Sequence, residues 1–370
     1  MARPIAPFWL ARPSRFASLS RSRSRVVLLL LGALLLASLL ALRVPEPPAA
    51  GASGAAQAES DVALYESIVS AVRAGTNYYP AAADALRAAS YPLRPFVTFR
   101  LPGLAVMQAH VPDIVSIVLL YALALAVMVA WATRLFAALP RAAPRIAVLL
   151  LLSGSMLVFV QSGLVAFHEI WAAQLVALSL ALRSPGQWVE AAAIALMAML
   201  IRETAALYVA VMAVLAWREG ERREALGWVL ALLVFGAALA VHAWAVSGVT
   251  GPLDAQLPGW AGLLGFGFFV KSVTVATALA MLPLWLAALL TGLALFGWTC
   301  WSDPLGLRMA ATLAVYALAI ATFGRLDTFY WGLMVAPIFL AGLAFVPDGL
   351  RDLVAGALDR RRVRVQIVAR

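Results

Sequence analysis

Cysteine and lysine are nearly absent from this 370-residue chain, each occurring once, at Cys300 and Lys271. A single cysteine excludes an internal disulfide and any cysteine-rich metal site. Charged residues are scarce too, at 12%, where a soluble domain carries roughly a quarter. The chain has no Walker loop, Gly-rich dinucleotide fingerprint, nucleophile elbow or zinc motif, which disfavours ATP hydrolysis, NAD chemistry and serine hydrolysis. Alternating apolar and polar residues are also missing, which argues against a β-barrel.

What is abundant is apolar surface, with 64% of residues hydrophobic and gathered in long runs. A soluble core of this length could not use so much, whereas lipid-facing helices can. The expected fold is therefore all-α, a polytopic transmembrane helical bundle. The net charge is +10, almost all of it from arginine. These arginines sit in short segments between apolar runs, the pattern of topology signals rather than of a nucleic-acid groove. Richness in Ala, Arg and Gly suggests a GC-rich bacterial genome, and with it the bacterial inner membrane.

The first apolar run, Val26 to Leu42, follows Arg21, Arg23 and Arg25. Its length suits a marginal span or a long signal-peptide core, cleaved near Ala56-Gln57-Ala58 in the second case. Further runs lie at about 114–133, 146–164, 166–182, 188–201, 204–217, 225–247, 273–298, 309–323 and 329–346. Ten crossings place both ends on one side. With a basic N-terminal segment (1–25) and a basic tail (348–370) in the cytoplasm, 20 of the 28 basic residues lie inside, as the positive-inside rule asks. The region 43–113 is then a periplasmic loop, and 114–347 the main bundle. Tail residues Arg360, Arg361, Arg362 and Arg364 suit anionic lipid head groups. An alternative joins 188–217 into one long helix with Arg202 and Glu203 at its centre.

The loop opens with Val44-Pro45-Glu46-Pro47-Pro48, which reads as linker. Ser60 can cap a helix running from Asp61 to Ala74, with Leu64, Ile68, Ala71 and Val72 on one face. Gly75 ends it. A second helical stretch covers Ala81 to Ser90, so two amphipathic surface helices fit better than a folded domain.

Every later connection on the outer side carries charge at a membrane boundary: His168-Glu169, Arg202-Glu203, Lys271, and Arg325 with Asp327. Such groups face a wet cavity or one another. Bland readings stand beside the functional ones: a mutual Arg202–Glu203 pair, a satisfied hairpin histidine, a snorkelling Lys271, and Asp61 and Glu66 as solvated helix-face charges. Together, though, carboxylates and cations above a greasy groove suit a lipid-linked phosphate substrate. Arg, Lys and His can bind the phosphate and stabilise the leaving group. A carboxylate such as Asp61 can act as general base on an incoming hydroxyl or amine. Tyr78, Tyr79 and Arg100 are further loop candidates for substrate contact. No motif demands a cofactor, although the loop carboxylates offer ligands for a divalent cation.

One helix, a large loop beginning with an acidic residue, and then a many-helix bundle resembles the GT-C superfamily of membrane glycosyltransferases. Asp61-Val62-Ala63-Leu64-Tyr65, followed by Gly75-Thr76-Asn77-Tyr78-Tyr79, looks like the start of the loop in bacterial members. Tyr91-Pro92 through Arg100-Leu101-Pro102 is similar to its exit. His168-Glu169-Ile170-Trp171, Ile201-Arg202-Glu203 and Tyr330-Trp331-Gly332 through Ala336-Pro337 also resemble that group. The resemblance implies sugar transfer from a polyprenyl-phosphate donor to a lipid, glycan or protein acceptor at the periplasmic face. It makes Asp61 the catalytic acid/base candidate, with Glu66 or Glu169 as a second carboxylate. Arg202, Lys271 and Arg325 become phosphate-binding candidates, with His168, Glu203 and Asp327 beside them. The chain departs from the pattern in two respects: many members carry adjacent loop acids, whereas Asp61 and Glu66 are five apart, and no soluble C-terminal domain of the kind that selects peptide acceptors in some members is expected. A secondary transporter or lipid flippase could use the same buried charges.

Overall fold

The structure is a computed structural model that describes residues 7–45, 52–257, 259 and 262–359. Glu46 to Pro48 of the expected linker and the tail arginines beyond residue 359 lie outside the described residues. Every named element is helical. Among the described residues, six helices are long and apolar enough to cross a membrane: 21–43, 113–138, 142–160, 222–247, 304–323 and 326–358. The longest uniform ones, α5 (Asp113–Ala138) and α10 (Arg222–Ser247), have 26 residues each, about 39 Å at the α-helical rise. Four apolar helices are shorter: α7 (His168–Leu182), α8 (Val189–Ile201), α11 (Gly265–Val275) and α12 (Leu284–Cys300).

The run expected as one span at 273–298 is two helices. Thr277 accepts a hydrogen bond from the Leu279 N–H, opening a separate tight turn. Pro283 then holds the position before α12, where its ring disfavours helical geometry at the residue it follows. The preceding helix correspondingly starts early, at Gly265.

The first helix, α1 (Arg21–Ser38), continues as a tight turn to Arg43 and packs into the bundle along its length. Backbone approach makes this close. A Cβ on Gly267 would sit 2.7 Å from the Leu40 carbonyl oxygen, and one on Gly292 would sit 2.7 Å from Ser38 Oγ. Small residues at helix contacts supply packing that lipid cannot. α7 is buried on nearly every side, which explains why it has no polar face. Trp131 of α5 donates to the Ala177 carbonyl at 2.8 Å.

The loop folds more fully than expected. α2 runs from Ala52 to Arg73, so Ser60 and Asp61 lie inside the helix rather than at its start. The candidate cleavage tripeptide lies in the same helix. α3 covers Tyr78–Ala88 and α4 Gly103–His110. Gly75 ends α2 at φ +96°, a conformation that glycine adopts without steric cost. Leu64, Ile68, Tyr78, Leu86, Leu93 and Phe99 share a small core of their own. This cap is tied down by Arg73 to Asp113 at 2.5 Å and by Arg87 to Asp254 at 2.9 Å. The Arg87 guanidinium and the Gly251 N–H hold the Asp254 carboxyl down at about 2.

The chain near its two ends meets at the end of the bundle away from the cap. Three successive N–H groups, of Phe8, Trp9 and Leu10, donate to the Asp348 carboxylate at 2.5, 2.7 and 2.8 Å. Ser14 donates to Asp352 through its backbone and its hydroxyl. Both acids belong to α14 (Val346–Leu358), which continues the helical segment Leu326–Phe345.

Candidate functional site

The break between α8 and α9 (Ala206–Arg218) builds half of the site. Arg202 is extended at φ −140° and Glu203–Ala205 is a single tight turn, so the alternative of one continuous helix does not hold. In a continued helix consecutive side chains would point about 100° apart. The extended residue lets Arg202 and Glu203 both face inward, and the Tyr316 hydroxyl fixes the turn through the Thr204 carbonyl at 2.8 Å. α8 and α9 form a hairpin: the ring of Trp188, before α8, lies against Gly227 near the start of α10. Its tip is therefore at the cap end.

There Arg202 Nε meets Glu169 Oε1 at 2.5 Å and also pairs with Glu203. Glu169 is fully buried in the first turn of α7, where the helix dipole favours negative charge. Arg100, on the loop leaving the cap, stands 3.7 Å from Glu169 and 3.9 Å from Glu203. Two tyrosines hold it: Nε donates to the Tyr65 hydroxyl at 3.1 Å, and the Tyr78 hydroxyl donates to its carbonyl at 2.6 Å. Arg325 pairs with Asp327 at 2.5 Å.

These groups surround a cavity of about 350 Å³ between cap and bundle. Its polar lining includes Asp61, Arg100, Arg202, Glu203, Arg325 and Asp327, its aromatic lining Tyr65, Tyr78, Tyr91, Tyr330 and Trp331, and its apolar lining Leu64, Ile68 and Leu86. Asp61 receives a hydrogen bond from the Tyr91 hydroxyl. Burial raises the Asp61 carboxyl above its ordinary range, and the Tyr91 hydroxyl and Arg100 pull it partly back. The Tyr65 and Tyr78 hydroxyls are pushed up by burial, so both remain neutral hydrogen-bonding groups.

No protein-family model matches this chain, and no curated protein or solved structure matches it.

Six of the residues singled out in the sequence line this cavity alongside Tyr78, with Glu169 directly beneath as the partner of Arg202. Others sit elsewhere. Glu66 is exposed, outside the cavity lining, because one residue beyond Tyr65 turns the helix face by about 100°. Tyr79 points to His242, its hydroxyl 3.2 Å from Nδ1. Lys271 is buried and donates to the Val44 carbonyl just past the first helix, so it caps orphan backbone there. His168 is buried behind Tyr65, with ring centroids 4.9 Å apart, and neither ring nitrogen has a hydrogen-bond partner among the described residues. No group of three or more His, Cys, Asp or Glu among the described residues is placed to hold a metal ion.

Tyr65, Tyr91 and Tyr330 stand in the motifs quoted above, but no site role follows for them from those motifs. A signal for Tyr65 was present: it follows Asp61 by four, so the two share a helix face. Tyr91 carried no comparable signal, because its contact depends on how α3 ends.

Proposed function

We propose that this chain is a bacterial inner-membrane glycosyltransferase that moves a sugar from a polyprenyl-phosphate donor to an acceptor. In this reading the four shorter apolar helices complete about ten crossings, both ends are cytoplasmic, and the cap and cavity face the periplasm. The observation that carries it is the cavity itself, which brings a half-buried carboxylate, Asp61, together with three arginines, Arg100, Arg202 and Arg325. Its volume falls in the range of small-molecule sites, roughly 300–1,000 Å³, leaving the polyprenyl chain among the lipid-facing helices.

The chemistry follows from the parts. The acceptor oxygen attacks the anomeric carbon, and its proton passes to Asp61. The bond from the anomeric carbon to the phosphate oxygen breaks, and the electron pair leaves with the phosphate. Arginine guanidiniums stabilise the developing charge, in a site where water does not dilute them. Glu169 fixes Arg202, while Glu203 and Asp327 hold Arg202 and Arg325 until phosphate takes their place.

The opposite end favours this reading over transport. There Arg183 chelates Glu224, and Arg308 chelates Glu219, an arrangement that suits a site opening on one side. Asp61→Asn in proteoliposomes with labelled polyprenyl-phosphate sugar is expected to lower transfer by about 10²–10⁴-fold, the usual contribution of a general base, with folding intact. Full turnover in that variant removes Asp61 from the reaction. Movement of intact donor across the bilayer without bond cleavage replaces the enzyme by a flippase.

A further inference from the structure

α3 stops beside the cavity in a way that aims one side chain. The Ser90 N–H donates to the Arg87 carbonyl at 3.1 Å, and the Tyr91 N–H to the Leu86 carbonyl at 2.8 Å. This double closure forms around a residue in the left-handed conformation. Here that residue is Ser90, at φ +58°, in a place where glycine is the usual occupant because a Cβ crowds the next carbonyl. Leu86 and Tyr91, the two positions whose apolar contact accompanies such a stop, both join the core of the cap. The stop thus fixes the direction of Tyr91, whose hydroxyl donates to Oδ1 of Asp61 on α2. Ser90, Tyr91 and Asp61 all line the cavity.

We propose that Tyr91 is the positioning residue for Asp61, holding Oδ1 so that Oδ2 is the oxygen that meets the acceptor. This rests on the reading of Asp61 as general base. Without the hydroxyl, the carboxylate could turn toward Arg100 and lose its line to the acceptor. The charged and titratable groups around Asp61 are Tyr65 on its own helix, Tyr91 after α3, Arg100 on the cap exit, Glu169 on α7, and Asp327 and Tyr330 on the segment after α13 (Pro304–Phe323). Arg100 and the Tyr91 hydroxyl favour the ionised carboxylate, while Glu169 and Asp327 oppose it.

Tyr91→Phe removes a single oxygen and keeps the ring in the core. The acid limb of its kcat/KM profile is expected to move to higher pH. With each profile scaled to its own alkaline plateau, this is a loss of roughly fivefold against wild type at a fixed acidic pH, the size of one hydrogen bond. Donor KM is expected to stay unchanged, because the arginines are untouched. Infrared titration reads the same contact without turnover. The protonated carboxyl band that vanishes in Asp61→Asn is expected to titrate at higher pH in Tyr91→Phe. A band and a profile superimposable on wild type, or moved to lower pH, overturn the proposal. If Asp61→Asn retains transfer, the general-base reading falls, and the infrared arm alone still decides whether Tyr91 holds the carboxylate. Ser90→Gly, which keeps the left-handed stop, is expected to leave the band where it is, and a moved band there would sever Tyr91 from the helix stop.

Discussion

At one end of the bundle Arg183 grips Glu224 through two bonds of 2.9 and 2.7 Å, and Arg308 grips Glu219. At the other end Arg202 has Glu169 at 2.5 Å, but Arg100 reaches its carboxylates only at 3.7 and 3.9 Å. The same residue types produce two different things. Where each guanidinium fork closes on one carboxylate, the charge is consumed by the protein, as planar two-point pairing allows. The Trp228 indole adds a bond to Glu224 at 3.2 Å, and none of the four charged residues lines the cavity. Around the cavity the pairing is looser: Arg100 meets its carboxylates only at longer range, and the fork of Arg325 closes on Asp327, whose side chain is 45% exposed, so an anion can compete for both. The closed cluster stabilises the bundle, and the open cluster holds its charge in reserve.

Removing one acid from each end separates the two clusters most clearly. Glu224→Ala leaves Arg183, whose side chain is 5% exposed, only the longer 3.7 Å contact with Glu219, and is expected to cost about 3–5 kcal/mol, as removing one member of a buried pair does. Glu203→Ala leaves Arg202 its bond to Glu169, so its cost is expected to stay under about 1.5 kcal/mol. Equal losses in denaturation in detergent would erase the distinction between the ends. Next in size, Arg325→Ala is expected to raise donor KM about tenfold, the value of one charge-assisted bond, with little change in unfolding. A rise in KM from Arg308→Lys at the closed end, with folding preserved, would contradict the assignment of binding to the open end.

Ser90→Gly relieves the left-handed serine and is expected to stabilise the cap by up to about 1 kcal/mol, read as a higher unfolding midpoint. The smallest effect depends on pH. Burial raises the folded-state value of Asp61 above 3.8, so its neutral form is favoured by folding. The stability it contributes is complete below the unfolded-state value and is lost as pH rises through the raised one. The Tm advantage of Asp61→Asn over wild type is therefore expected to grow from acid toward neutral pH.

Much of this was legible in the sequence, and the limits have physical causes. Apolar runs locate helices such as Asp113–Ala138 because bilayer and core alike demand apolar surface over a fixed length. Hydropathy does not register hydrogen-bond caps, so the division at Thr277 and Pro283 was hidden inside one apolar run. Charge pairs at the hairpin tips were visible as pairs, but their direction was not. Whether Arg202 and Glu203 face one way depends on a single extended residue. Glu66 and Tyr65 differ by one position and so by about 100° of helix face. The left-handed stop at Ser90 has no sequence signature at all, since glycine is the residue that announces such a turn.

The clasp of Phe8, Trp9 and Leu10 on Asp348 joins residues 338 to 340 positions apart. At ribosomal speeds of about 5–20 residues per second, the N-terminal segment emerges roughly 20–70 s before its acceptor exists. Until then three backbone donors lack the carboxylate that satisfies them. α14 therefore acts as the clasp of a necklace: the bundle is fastened only when this helix has been delivered. A chain interrupted before Asp348 would leave the backbone donors of Phe8, Trp9 and Leu10 unlatched.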